Sequence, residues 1–392
     1  MLLRVRLVAL TVALCVLVPG VAAAKVRTGP TGNAFYTPPS PLPGRTHGDL
    51  IWARPMSGIT VVPGAARTLR VLYRSSGSGG PAVPVSGVVS IPKGKAPKGG
   101  WPVVTYAHGM SGSADACAPS RSTTPFPTFG FGLLTRWLKA GYAVVRTDYE
   151  GLGTPGVHPA DVGTSEGPGV LDIVRAARQA DPHISGTVAI VGGSQGGHAA
   201  LWAAALAHHY TPELRVKATV AFAPASHIDD QLPLTTGLTT PGGVLSATIA
   251  LVLRGVDAAQ PSLHVASLLS PQAAALYPQT LTRCIDVLSF SDSFGGLAPA
   301  AIFVARPDLT AVIKFLDAQD PSHLKIPVPV LIEQGTNDTA VLPVYTDALA
   351  RELHASGVTL TYRKYPGVDH TGVQIRAKPA TDAYTYVKDH LR

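Results

Sequence analysis

With 392 residues, 46% of them hydrophobic and only 14% charged, the chain can bury one large core or two ordinary ones, which excludes a disordered or coiled-coil protein. Its formal charge of +8 is spread over scattered lysines and arginines with no basic stripe and no interleaved aromatics, so nucleic-acid binding has no support. A basic surface suits contact with anionic lipid or cell wall, although solvation is the commoner meaning of such charge.

The chain opens with Arg4 and Arg6, an apolar run from Leu7 to Val18, then Pro19, Gly20 and Ala22 to Ala24. That order marks a secretory signal peptide, so residues 1–24 are expected to be removed and the mature protein to be secreted with a formal charge of +6, two arginines having left the total of +8. No later stretch reaches the roughly 18 to 20 consecutive apolar residues of a spanning helix, so no transmembrane segment is expected in the mature chain. Cys15 lies inside the leader and follows Leu14, which is not small, and so reads as filler rather than a lipidation site. Cys117 and Cys284 remain in an oxidising compartment, where an isolated pair is expected to form one disulfide. Two buried free thiols are the alternative, because spacing in sequence says nothing about separation in space.

Residues 25–68 carry FYTPPSPLPGRTHGDLIWARP, too rich in proline for a central strand or helix, and are expected to wrap the domain as an extended arm. LRVLYRS (69–75) and VSGVVSIP (85–92) alternate like strands around a Gly/Ser turn and give the sheet an antiparallel start. WPVVTYAHGMSG (101–112) is a strand running straight into His108, Gly109 and Met110. The spacing predicts a helix over 128–140 and a strand in GYAVVRTDYEGLG (141–153), ending in Asp148 and Glu150, whose expected duty is to pin loops. An amphipathic helix over 169–180 leads to TVAIVGGSQGGHAALWAAALAHH (187–209), which reads as strand, sharp turn and helix, and KATVAFAP (217–224) adds one more buried strand.

From 226 to 325 the rhythm breaks into alanine- and leucine-rich pieces such as GVLSATIALVLRGV and PAAIFVARPDLTAVIKFLDA, read as an inserted helical cap whose apolar helices line an acyl pocket or move as a lid. Strands and helices resume with VPVLIEQGTNDTAVLP (328–343), a helix around Tyr345 to Ser356, VTLTYRKYPGVDHTG (358–372) and a final helix. The fold class is therefore α/β, a mostly parallel central sheet flanked by helices. Its core spans 69–225 and 326–392, and the cap interrupts it at 226–325.

The chemistry gathers at strand ends. Gly192, Gly193, Ser194, Gln195, Gly196 and Gly197 meet the G-x-S-x-G pattern, in which small residues two places either side of a serine permit a tight turn that thrusts the hydroxyl outward. A glycine-rich turn that only joins two elements or binds phosphate fits the same six residues, so the other strand ends decide. Serine attacks only if a base takes its proton, and His370, in the loop after the last strand, is best placed among the thirteen histidines. Asp338, after the preceding strand, is the acid that would orient it; Asp229, Asp230, Asp286 and Asp369 do not stand in that loop. Backbone N–H groups of Gln195 and of Met110, with Gly109 next, are the candidate oxyanion donors.

In that order the FYTPP arm, YAHGM, TDYEGLGTPG, GGSQGG, EQGTNDTAVLP and YPGVDH resemble the secretory lipase family of α/β-hydrolases over nearly the whole mature chain. The resemblance implies a secreted serine esterase or triacylglycerol lipase with the triad Ser194, Asp338 and His370, a helical cap and no metal requirement; an ester or lipid substrate, transient contact at a lipid interface and no cofactor are expected with it. Many relatives carry a larger residue just before the serine, where this chain has Gly193. A secreted serine peptidase uses the same machinery, but no propeller-like repeat and no acidic cluster for a substrate amine accompany it; acyl transfer to an alcohol shares the acyl-enzyme and stays open.

Overall fold

Short runs rich in valine, isoleucine and other apolar residues become nine strands among the residues that the computed structural model describes, 26–58, 61–122 and 131–391. The leader expected at 1–24 and the start of the helix expected from 128 lie outside the described residues. The strands are β1 (Leu50–Pro55), β2 (Arg67–Ser76), β3 (Ala82–Ile91), β4 (Trp101–Ala107), β5 (Ala143–Thr147), β6 (Ile184–Gly193), β7 (Arg215–Phe222), β8 (Val330–Gly335) and β9 (Leu360–Tyr365). They form one sheet in the order β1-β2-β3-β5-β4-β6-β7-β8-β9. The pairs β1/β2, β2/β3 and β3/β5 are antiparallel and the remaining five neighbours are parallel. β1 comes from the proline-rich stretch expected to be an arm. It occupies the sheet edge, where Pro55 costs no central ladder bond.

The helices among the described residues are α1 (Phe131–Lys139), α2 (Gly163–Ala180), α3 (Gln195–Tyr210), α4 (Ile228–Thr235), α5 (Val244–Ala259), α6 (Pro271–Leu276), α7 (Ile285–Leu288), α8 (Thr310–Asp317), α9 (Pro343–Ala355), α10 (Gly372–Ile375) and α11 (Ala377–His390). Alternate strand residues feed two cores: α2, α3 and α9 pack on one face with Val103, Val188 and Ile190, while α1 and α11 pack on the other with Val104, Ala189 and Val191. Burial on both faces is what makes the central strands read as near-continuous apolar runs.

α2 begins six residues before the helix that periodicity alone suggests, because Gly163, Gly167, Pro168 and Gly169 hide it. Tertiary contact explains the glycines. A methyl group on Gly163 would overlap the Trp202 indole, and one on Gly167 would press on Ala203 and Leu206, so α2 and α3 approach closely only because those side chains are missing.

Between β7 and β8 the chain builds a helical region with its own core, in which α5 is the hub and Leu251, Val256, Leu288, Phe294 and Ile302 are buried. The stretch 299–318 is not one helix: a turn of 3₁₀ helix at Pro299–Ile302 and α8 are separated by Pro307 and by Arg306 at φ 58°. Cys117, in the loop beyond β4, and Cys284, just before α7, are joined by a disulfide with Cα atoms 5.5 Å apart, and the Ile285 N–H donates to Ser111 O at 3.0 Å beside it. This staple ties the helical region to the sheet and closes a loop of 167 residues. The double substitution Cys117→Ser/Cys284→Ser is expected to lower unfolding free energy by roughly 2–4 kcal/mol, read as an earlier denaturant midpoint.

Candidate active site

Ser194 stands between β6 and α3 at φ 59° and ψ −125°, a region that costs a non-glycine residue on the order of 1–3 kcal/mol. Several contacts hold it there. Its N–H donates to Phe222 O at 2.8 Å, and its own carbonyl accepts from Gly197 and His198 at the start of α3. A methyl on Gly192 would overlap the carbonyl of Gly196, and a methyl on Gly196 would overlap the carbonyls of Ala107 and His108. The glycines at minus two and plus two are therefore dictated by a bend that presses β4, β6 and α3 together.

Asp338 follows β8 and its side chain is fully buried, so its charge survives only with donors around it. Oδ1 accepts the Ala340 and Val341 N–H groups, each at 2.9 Å, while Oδ2 accepts from Gln334 Nε2 at 3.1 Å and lies 2.8 Å from His370 Nδ1. An ionised carboxylate there fixes the imidazole as the tautomer protonated on Nδ1, leaving Nε2 with a free lone pair. The His370 side chain is 24% exposed, open enough to meet a substrate. Of the rival acids, Asp369 accepts the Gly372 N–H at 2.7 Å and so shapes the turn that carries His370.

The loop after β4 comes to the same place. A Cβ on Gly109 would lie 3.5 Å from Ser194 Cβ, and the loop is braced by the Tyr149 hydroxyl donating to His108 O at 2.8 Å and by the His108 ring, 2.7 Å from Gly109 O through Nδ1. Gln195 is the first residue of α3, and its N–H has no intrahelical partner. Ser194, Gln195, Gly109, Met110 and His370 share one cavity of about 440 Å³ with Leu232, Val244, Leu245, Ile249, Val252 and Ile285 of the helical region. Asp148 and Glu150 stay out of it and pin loops: Asp148 accepts from Ser86, Ser120 N–H and the Ser120 hydroxyl, and Glu150 from Ser78 N–H and Ser165.

Gln374 and Asp161 are cavity residues that escaped sequence reasoning. Gln374, on α10, places its carboxamide where a side chain at position 193 would stand, with its Oε1 accepting from the Tyr106 hydroxyl at 3.1 Å. Gly193 is small because this wall is supplied from four residues beyond His370, a pairing across 181 positions that no local signal reveals. Asp161 also lines the cavity at 3% exposure, and its Oδ1 has no hydrogen-bond partner. Burial, then the nearby charge of Glu166, pushes its carboxyl up to about 7. Among the described residues no group of three or more His, Cys, Asp or Glu side chains could hold a metal ion.

The strand order and the serine-bearing turn between β6 and α3 define an α/β-hydrolase. The chain belongs to the secretory lipase family, whose profile matches residues 127–391, and so to the carboxylic-ester hydrolases. It is 24% identical over 375 residues, 90% of this chain and 80% of the relative, to a probable inactive lipase of Mycobacterium tuberculosis. With lipase A of Moesziomyces aphidis it shares 30% identity over 199 residues, 48% of this chain and only 41% of that relative's length. Its fold is similar to that of Candida antarctica lipase A, with a TM-score of 0.72 at 22% identity over 86% of this chain and 80% of that one.

The raised carboxyl of Asp161 has a thermodynamic sign. Because the folded protein holds the proton more tightly than the unfolded chain, stability is fully present below the ordinary value of 3.8 and is lost as pH rises through about 7. Thermal midpoints measured from pH 4 to 8 are expected to fall less steeply in Asp161→Asn than in the wild type.

Proposed function

We propose that the protein is a secreted lipase or esterase in which Ser194 is the nucleophile, His370 the general base and acid, and Asp338 the residue that orients His370. The observation that carries this reading is the pairing of His370 Nδ1 with buried Asp338 in a histidine that opens on the same cavity as a serine held at positive φ. As Ser194 attacks the ester carbonyl, His370 Nε2 takes the hydroxyl proton, and Asp338 stabilises the imidazolium that forms. The N–H groups of Gln195 and of the Gly109–Met110 loop receive the oxyanion, each worth roughly 3 kcal/mol of activation free energy. His370 then returns the proton to the departing alcohol. Water, activated by the same nitrogen, releases the acid from the acyl-enzyme.

The apolar wall from Leu232 to Ile285 favours medium or long acyl chains. Leu234, Val244, Phe290, Val344 and Ile375 are each more than half exposed and belong to the segments that surround this cavity, which suits docking at a lipid surface. The leader at 1–24 supports export, and among the described residues no helix is long and apolar enough to cross a membrane.

A chain-length series of p-nitrophenyl esters, together with emulsified triglycerides, tests the reading. Ser194→Ala is expected to lower kcat by at least about 10⁴-fold, and Asp338→Asn by about 10⁴-fold, since asparagine favours the wrong tautomer. Equal hydrolysis by wild type and Ser194→Ala overturns the mechanism, and an inert wild type would set this chain beside its inactive relative. Leu234→Glu/Phe290→Glu is expected to slow hydrolysis of emulsified triglyceride several-fold while leaving kcat/KM on a soluble butyrate ester within about twofold.

A further inference from the structure

Beneath the serine turn lies a cluster of polar side chains that the reaction scheme does not use. Glu166, on α2, is 0% exposed, Gln195 2%, His158 1% and His198 1%. The carboxamide Nε2 of Gln195 donates to Glu166 Oε1 at 2.6 Å and to His158 Nε2 at 2.8 Å. Glu166 Oε1 also accepts the Asp161 N–H at 2.9 Å, and Oε2 is 3.1 Å from His198 Nδ1. His198 Nε2 in turn lies 2.9 Å from the carbonyl of Gln319, at the end of the helical region.

Acceptors on the far side of each ring assign the protons. His198 faces a carboxylate through one nitrogen and a carbonyl through the other, so both nitrogens carry hydrogen and the ring is a cation paired with Glu166. Burial alone would lower its affinity for that proton, yet the hydrogen bond and charge of Glu166, with Asp161, hold it up at about 9. His158 Nδ1 donates to Glu150 O at 3.0 Å, leaving Nε2 to accept from Gln195, and burial keeps this ring neutral by pushing it down to about 3. The 3.9 Å approach of His158 to Glu166 is accordingly not an ion pair. Rotating the Gln195 carboxamide by half a turn would set its oxygen against the Glu166 carboxylate and the His158 lone pair. Its Oε1 has no partner of its own, so the side chain is held by Nε2 alone.

We propose that Glu166, its charge balanced by His198, is a positioning residue for the oxyanion donor: by gripping the side chain of Gln195 it fixes the peptide whose N–H faces the substrate oxygen. This rests on Ser194 being the nucleophile. A hydrogen-bond donor misplaced by a fraction of an ångström binds the ground-state ester little differently but loses the developing charge, so the effect falls on kcat.

The test compares wild type, Ser194→Ala, Glu166→Ala, Glu166→Gln, Gln195→Ala and the double variant Glu166→Ala/Gln195→Ala on p-nitrophenyl butyrate, with active sites counted by a fluorophosphonate label. Glu166→Ala and Gln195→Ala are each expected to lower kcat per labelled site about 10- to 100-fold with KM within about twofold, and the double variant to be no worse than either single one. Glu166→Gln is expected to recover kcat to within about threefold of wild type. Its oxygen can accept from Gln195 and Asp161 N–H while its amide donates to a neutral His198.

A structural role alone would lower thermal midpoint and labelled fraction without touching kcat per site. That result, or singles whose losses multiply in the double variant, overturns the proposal while Ser194→Ala remains inert. Activity in Ser194→Ala would instead remove the nucleophile assignment. The crystal structure of Glu166→Ala then decides separately, an unmoved Gln195 backbone counting against the proposal and a displaced one for it.

Discussion

The molecule depends on one bend, the turn that carries Ser194 from β6 into α3. Its dihedral angles are unfavourable for any side chain, so the surroundings must supply more than the turn costs, and they do so by exclusion as much as by bonding. Gly196 lies against the carbonyls of Ala107 and His108, and Gly197 against Pro224. β4, the loop after β7 and α3 are therefore held in close contact at the turn. The parallel register of β4 on β6, with Ala107 opposite Gly192, then sets how far beyond the sheet the next residues reach, and this delivers Gly109 to the serine. A functional arrangement follows from a packing constraint.

The same economy governs charge. Asp338 and Glu166 are both buried, and each is surrounded by hydrogen-bond donors, because an uncompensated carboxylate would cost several kcal/mol. Asp338 spends one donor contact on His370 and three on holding its own loop. Glu166 is matched by a buried histidine cation, which leaves the cluster under the serine turn close to neutral as long as Asp161 keeps its proton. Under the proposed mechanism neutrality there matters, since a net negative charge beside the oxyanion would oppose the charge that the reaction creates.

What could be read from the amino-acid order follows from range. That Ser194, Asp338 and His370 lie at one edge of the sheet was legible because each stands in a loop directly after an apolar strand, and a parallel sheet brings such loops to one edge whatever the intervening chain does. The sheet itself was legible because both its faces are covered. The extra turns of α2 were not, since glycine and proline speak against a helix until Trp202 is seen lying where their side chains would be. Gln374 filling the place beside Gly193, and Gln195 gripped by Glu166, belong to the same kind: two residues chosen for each other across the fold, each unremarkable in its own neighbourhood.

The helical region between β7 and β8 completes the site by a different route. It has its own core around α5, so it can keep its shape while attached to the sheet at a few points, among them the disulfide and the Gln319 carbonyl held by His198 and Trp202. The first tie is on the side of the loop after β4 and the second is on the helix that begins at the serine. The apolar wall is thereby registered to both candidate donors of the oxyanion rather than to the sheet in general. Under the proposed mechanism α4, α5 and α7 would read substrate shape, while the backbone they are tied to would meet the reacting carbonyl, so changes in the wall that leave these two ties intact should alter which ester is accepted without altering how it is cleaved.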